Sequence, residues 1–454
     1  MKKINKFFWC IFAIGIGLRL LLWTFQANAA GDDGERYYAE SHNLVVHQTF
    51  SSNSVTNEGK PYATAHDLPL WPGTMAGILK VTGSKSATIR IAGLLNLALY
   101  AGAALLLASL LAVRPFNVGR LGQSIAIGLF LFIPESIPYS LFYMPDAMAV
   151  FWTVLALWAY FRALYNEKKF VWFVVSFFSF SLAILSKPIS LPLTGAFVVI
   201  TPFLMKRQWW VRVGTTVLFV VIVAGMLYPW VMRNKRAFGT AGLTTISGTN
   251  LYSCNWGWLV QQMPPKQKAK ILEEDKAYES TLAGQDLMKR SQNLGAYARS
   301  KISEYWKEYA LFTLKKHPKM YFGTGTIALF RYLGMDGACT ALERQYGSGR
   351  FAKEATTMDK VFAYILQGAA LLLLTLCYFL VAIGFSLAIG RTIKCMRNGK
   401  SIFSDPIIAV ACAALILLMF AIVIGPVTAT RYRFIMIPFF AVLASFIELK
   451  FTKQ

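Results

Sequence analysis

Apolar residues in this chain fall in blocks too long for the core elements of a soluble domain. Runs such as 97–113, 361–390 and 407–425 match or exceed the length that carries a helix across a hydrocarbon layer ~30 Å thick. The pattern predicts spans near 7–26, 87–113, 122–143, 147–163, 170–185, 189–205, 213–230, 361–390, 406–425 and 434–449, about ten in all. Two polar stretches interrupt them: 27–86, with Pro61, Pro69 and Pro72 as breakers, and the longer 231–358. Within the second, Gln267–His317 is free of proline and bracketed by Pro264, Pro265 and Pro318, so it reads as helix. Tyr305, Trp306, Tyr309 and Phe312 recur at helical spacing beside Lys301, Lys307, Lys315 and Lys316, which predicts a helix lying on a membrane surface. Residues 320–335 are too short to span and contain Arg331, so they read as interfacial. The expected fold class is an all-α polytopic membrane protein. It divides into an N-terminal transmembrane module (1–230), a hydrophilic helical segment (231–358) and C-terminal transmembrane helices (359–454), with no internal repeat.

Charge orients this arrangement. Arg114 and Arg120, Lys168 and Lys169, Lys206 with Arg207 and Arg212, and Arg391 with Lys394, Arg397 and Lys400 mark alternate loops. The loops around Pro138–Pro145 and Ser186–Pro188 are nearly uncharged. By the positive-inside rule both termini are cytoplasmic, while 27–86 and 231–358 face outward from a cell (inner) membrane. The start imitates a signal peptide, with Lys2, Lys3 and Lys6 ahead of an apolar stretch and Ala27-Asn28-Ala29. Arg19 interrupts that stretch, so an uncleaved first span is expected.

Composition agrees: 56% of the 454 residues are hydrophobic and 15% charged, against roughly a quarter charged in a soluble domain. The net charge of +24 sits in inside loops and in the long segment. No nucleic-acid module accompanies it, so the expected partners are membrane lipids and phosphate-bearing substrates, with no nucleic acid. The six cysteines show no CxxC or Cys/His spacing, so no metal site or cofactor is read from them, and dependence on a divalent metal stays open. Cys254 and Cys339 share the outer segment, which leaves a disulfide between them open.

Ionisable residues near membrane depth are costly, which makes them functional candidates. Here they gather at outer span ends: Asp32 and Asp33, Asp146, Lys187, Arg233, and Arg431 with Arg433. Bundling the spans brings carboxylates and cations to one cavity, where a carboxylate can take a proton and cations can neutralise a departing phosphate. Plainer roles compete. Asp146 suits a helix start after Pro145, and Lys187, Arg431, Arg19 and Arg90 can snorkel to headgroups. His66-Asp67 is too small a set for a metal, Asp405-Pro406 fits a helix start, and the tryptophans near span ends fit an interfacial belt.

Several motifs, in order, resemble the GT-C superfamily of membrane glycosyltransferases, close to its protein O-mannosyltransferase and lipid A aminoarabinose transferase branch. They begin with Asp33-Gly34-Glu35-Arg36-Tyr37 after the first span and Leu68-Pro69-Leu70-Trp71-Pro72. Met144-Pro145-Asp146-Ala147 and Leu185-Ser186-Lys187-Pro188 follow, then Pro229-Trp230-Val231-Met232-Arg233-Asn234 with Gly248-Thr249-Asn250-Leu251-Tyr252. His317-Pro318-Lys319-Met320-Tyr321 and Arg431-Tyr432-Arg433 complete the series. Pro145 stands where the family has Ser, and Asp32 adjoins the family's aspartate.

The resemblance implies a GT-C fold with outer loops carrying amphipathic helices. It also implies inverting transfer of a monosaccharide from a polyprenyl-phosphate donor to a lipid, glycan or protein acceptor hydroxyl on the outer face. In that reading Asp33, or Asp32, is the base and Asp146 belongs to the catalytic set. Lys187, Arg233, Arg431 and Arg433 hold the donor phosphate, and Tyr37, Asn234, Asn250 and Tyr252 bind substrate. A flippase for lipid-linked glycan would place its ionisable residues near the midplane and show paired halves. A glycan polymerase or ligase would use a polyprenyl-diphosphate donor; the ordered motifs weigh against it.

Overall fold

The computed structural model describes residues 6–25, 30–31, 33–54, 59–165, 169–346, 355–399, 405–427 and 429–448. Every regular element among them is a helix. The first module comprises α1 (Lys6–Thr24), α2 (Gly34–His47), α3 (Leu70–Thr82), α4 (Lys85–Leu111), α5 (Arg120–Phe132), α6 (Ser136–Tyr139), α7 (Asp146–Tyr165), α8 (Lys169–Ser186), α9 (Ser190–Leu204) and α10 (Trp209–Phe238). The polar segment folds as α11 (Ile246–Asn250), a π-helix (Leu251–Trp256), α12 (Gly257–Val260), α13 (Pro265–Thr281), α14 (Leu287–Glu304), α15 (Trp306–Phe322), α16 (Thr326–Tyr332) and α17 (Asp336–Tyr346). Then come α18 (Thr357–Arg397), α19 (Asp405–Ile424), α20 (Thr430–Phe434) and α21 (Ile437–Ser445).

Helices α1, α4, α7, α10, α18 and α19 have the length and hydropathy to cross a membrane. Four shorter apolar helices, α5, α8, α9 and α21, join them. The bundle core forms where α7 packs on α4 and α8, and where α21 packs on α5, α18 and α19. By contrast α1 and α10 leave Ile14, Leu21, Val217 and Val221 exposed. Such uncovered apolar faces are stable only against lipid, so the protein is a multi-pass membrane protein.

Local chemistry sets the element ends. Ser84 accepts from the Ala87 N–H to start α4, and Thr356 with Asp359 forms a reciprocal capping box at α18. Gly239 closes α10 at φ 74°, a left-handed position that disfavours a side chain.

The spans differ from expectation in places. The expected span 122–143 stops at Phe132, because Pro134 and Pro138 cannot continue it. Glu135 is instead buried in the resulting break. The expected span 213–230 lies within α10, which runs on through Arg233 and Asn234. Pro318 does not end α15, since it costs that helix only the partner of the Leu314 carbonyl.

The aromatic stripe predicted for one surface helix is divided at Tyr305, between α14 and α15. Phe312 is buried with Trp256, Leu259, Val260, Ile271 and Ala298, and Tyr305 and Tyr309 pack against them, so the polar segment has its own small core. Trp306 remains exposed. No disulfide joins Cys254 to Cys339; the Cys339 thiol is buried and points at the Ile327 carbonyl, 3.7 Å away.

Candidate active site

Three chain turns and a one-turn helix meet at one end of the bundle. Asp33 occupies the N-cap position of α2 but makes no capping bond, so its carboxylate is free to turn inward. Asp146 opens α7 directly after Pro145, Lys187 sits in the turn between α8 and α9, and Arg431 lies on α20.

Arg431 is the junction. Its Nη1 donates to Asp33, while Nε and Nη2 donate to the two Asp146 oxygens at 3.2 and 2.9 Å. Lys187 Nζ donates to Asp146 as well, and its ammonium lies 5.8 Å from the Tyr432 ring centroid. On the other side Arg36 Nη1 donates to Asp33 at 2.6 Å, and its Nε and Nη2 grip Asp67 at 2.6 and 3.2 Å. Three carboxylates and three cations thus form one chain, Asp67–Arg36–Asp33–Arg431–Asp146–Lys187.

Exposure separates the two central carboxylates. The Asp146 side chain is 2% accessible and that of Asp33 27%, so Asp33 is the one an incoming molecule reaches. Partial burial alone would raise the Asp33 carboxyl, yet Arg431 and Arg36 outweigh it and hold it well below the usual carboxylate range. Tyr37 lies beneath Arg36, 5.2 Å from guanidinium to ring centroid, and burial pushes its phenol up. Glu35 turns away, accepting from Lys85 and from the Tyr143 hydroxyl, each at 2.8 Å. Gly34 is required beside it: a Cβ there would lie 2.8 Å from the Tyr143 ring.

The structure brings Asp33, Asp146, Lys187, Arg431 and Tyr37 together and places Arg433, Arg233, Asn234, Asn250 and Tyr252 elsewhere. Arg433 is fully buried, and all five of its N–H donors are taken. Glu135 accepts from Nε and Nη2, Tyr321 O and Tyr378 Oη from Nη1, and Gly323 O from Nη2. Arg233 donates to Thr64 O at 2.7 Å and to Phe50 O at 3.0 Å. Asn234 donates to Gly242 O and Leu243 O, and Trp230 to Leu243 O at 2.8 Å. The Pro-Trp-x-x-Arg-Asn motif therefore staples the end of α10 to two loops. Asn250 ends α11, its carbonyl accepting from Asn255. Tyr252 faces Tyr297 across 6.1 Å, within the helical segment's own cluster. Asp32 lies outside the described residues. Among the described residues no three His, Cys, Asp or Glu side chains converge as a metal cage would.

Sequence reasoning overlooked Arg36 as the partner of Asp33 and Asp67 as the second carboxylate on Arg36. Arg36 carried a signal, since residues three apart on a helix start are neighbours. Asp67 carried none, because a loop aspartate 34 positions away meets Asp33's partner only through the fold.

No family model and no curated protein matches the chain. Solved structures do resemble it. The archaeal oligosaccharyltransferase AglB from Archaeoglobus fulgidus, in complex with an inhibitory peptide and a dolichol-phosphate, superposes with a TM-score of 0.53 at 13% identity, over 97% of this chain and 50% of that one. The A. fulgidus enzyme tethered with an acceptor peptide gives 0.52 at 14% identity, over 98% and 49%. ArnT from Cupriavidus metallidurans bound to undecaprenyl phosphate gives 0.38 at 13% identity, over 96% and 77%. The chain spans about half the length of the oligosaccharyltransferase it resembles. Its architecture is the GT-C fold, as the motifs implied.

Proposed function

We propose that this protein is an inverting GT-C glycosyltransferase that moves a monosaccharide from a polyprenyl-phosphate donor to an acceptor hydroxyl on the outer face of the membrane. One observation carries the reading: Asp33 and Asp146 share Arg431 at a single end of a GT-C bundle, with Lys187 alongside. Such a site has an accessible carboxylate for proton removal and buried cations for a phosphate.

The charges of the Asp67–Lys187 chain balance one another, and Asp33 is a poor base while two arginines hold it. A donor phosphate draws Arg431 and Lys187 toward its own oxygens, the bidentate guanidinium and the point-like ammonium each suited to that task. Asp33 then loses one of its two cations and regains basicity. It takes the acceptor O–H proton as that oxygen forms a bond to the anomeric carbon. The bond from that carbon to the phosphate oxygen breaks with its electron pair, and polyprenyl phosphate departs on the cations. No general acid is required, in contrast to glycoside hydrolysis, where a carboxylic acid protonates the leaving oxygen. Arg433 and Arg233 serve this site by position: the first fixes α20, the second fixes the loop behind α2.

The test is transfer of label from polyprenyl-phosphate sugars to membrane extract by purified protein, with Asp33→Asn as control. Label leaving the lipid only with wild type supports the reading, and near-normal turnover by Asp33→Asn sinks the assignment of the base. The likeness to an oligosaccharyltransferase supports a second reading, transfer of an oligosaccharide, and donors carrying one sugar or several distinguish the two.

A further inference from the structure

Behind the charged chain lies a carboxyl group that the mechanism above does not use. Glu40 is on the inward face of α2, one turn beyond Arg36 and in register with Tyr37 and Ser41. It is fully buried, and among the described residues neither of its oxygens meets a hydrogen-bond donor. Within hydrogen-bonding reach of it lies Asp67, itself a carboxylate, already gripped by Arg36. Two ionised carboxylates in contact out of water repel, and an unpaired buried charge is costly. A single proton held between them removes both costs and turns the contact into a hydrogen bond.

Three charged groups bear most strongly on Glu40. Asp67 approaches from the loop before α3, Arg36 from its own helix, and Arg233 from α10. Arg36 and Arg233 favour the charged form, but both spend their N–H groups elsewhere, on Asp33 and Asp67 and on Thr64 O, Phe50 O and Asn234. Burial, followed by Asp67, prevails and pushes the Glu40 carboxyl up to about 9.

We propose that Glu40 is a neutral carboxylic acid in the working protein and donates its proton to Asp67. Through that bond it is a positioning residue that sets how Asp67 holds Arg36 against Asp33. Without the bond Asp67 can rotate, and Arg36, which spans Asp67 and Asp33, moves with it. Glutamine preserves the shape and the donor; leucine preserves only the bulk.

Three measurements test this, of which only the last rests on the proposed transferase activity. Infrared difference spectra of wild type against Glu40→Gln at pH 7 are expected to show the carbonyl band of a protonated carboxylic acid in wild type alone; its absence overturns the proposal. A carboxyl raised by folding holds its proton in the native state, so wild type loses stability relative to Glu40→Gln as pH climbs from about 4 to about 9. The difference in thermal midpoint in detergent therefore widens over that range, and a constant difference overturns the proposal.

In the transfer assay Glu40→Gln is expected to stay within about twofold of wild type at pH 7. Glu40→Leu loses roughly tenfold or more in kcat with donor KM little changed, the scale of one charge-assisted hydrogen bond. Equal rates for the two variants overturn the positioning role. If no transfer is detected with wild type, the transferase reading fails, while the infrared and thermal results still decide the protonation of Glu40.

Discussion

Arg431 and Arg433 are two residues apart on α20, and the structure assigns them opposite consequences on removal. Replacing Arg433 by Gln leaves Glu135 fully buried with no countercharge and strips partners from Tyr321 O and Gly323 O. Breaking a buried pair from one side costs about 3–5 kcal/mol, so this variant is expected to lose much of its folded yield. Adding Glu135→Gln removes the stranded charge and recovers most of the loss. Replacing Arg431 by Gln leaves Asp33 with Arg36 and Asp146 with Lys187, so each carboxylate keeps one cation. The fold survives, and transfer falls about 10²–10³-fold, the cost of one donor aimed at developing charge. Thermal midpoint and elution profile in detergent, measured beside transfer from labelled donor, separate the outcomes. A well-folded, inactive Arg433→Gln together with a misfolded Arg431→Gln would refute the division of labour.

Three further results are expected. Asn234→Ala leaves Gly242 O without its side-chain donor, while Leu243 O keeps Trp230, and lowers stability by about 1–3 kcal/mol in thermal unfolding, without changing donor KM. Gly384→Ala directs a Cβ into the Leu443 and Ala444 carbonyls where α18 meets α21, and the overpacking costs about 1–3 kcal/mol by the same measurement. Because Asp33 is held low, the stability it contributes is present above its unfolded value and lost as pH falls toward the folded one. Wild type is therefore expected to lose its advantage over Asp33→Asn in thermal midpoint below about pH 4.

Hydrophobic block length was enough to establish a helical membrane protein, because a span must satisfy its backbone internally and present apolar side chains to lipid. Motif order pointed to the GT-C fold, and charge at span ends marked Asp33, Asp146, Lys187 and Arg431 as candidates before any geometry was known. Which charges actually meet was a different matter. Arg431 reaches Asp33 and Asp146 across 398 and 285 positions of chain, and Arg433, of the same type and nearly the same place, reaches Glu135 instead. Neighbouring residues on a helix point in different directions, and the partner each finds is fixed by the packing of α20 on α6 and α15 and by where α7 begins. Arg233 and Asn234 look like binding residues in a linear reading, yet α10 continues past its expected end and turns them onto loop carbonyls. Glu40 shows no pattern in sequence beyond a polar residue on a polar helix. Only burial against Asp67 makes it a carboxyl that keeps its proton, since the cost of a charge depends on the surroundings that tertiary structure assembles.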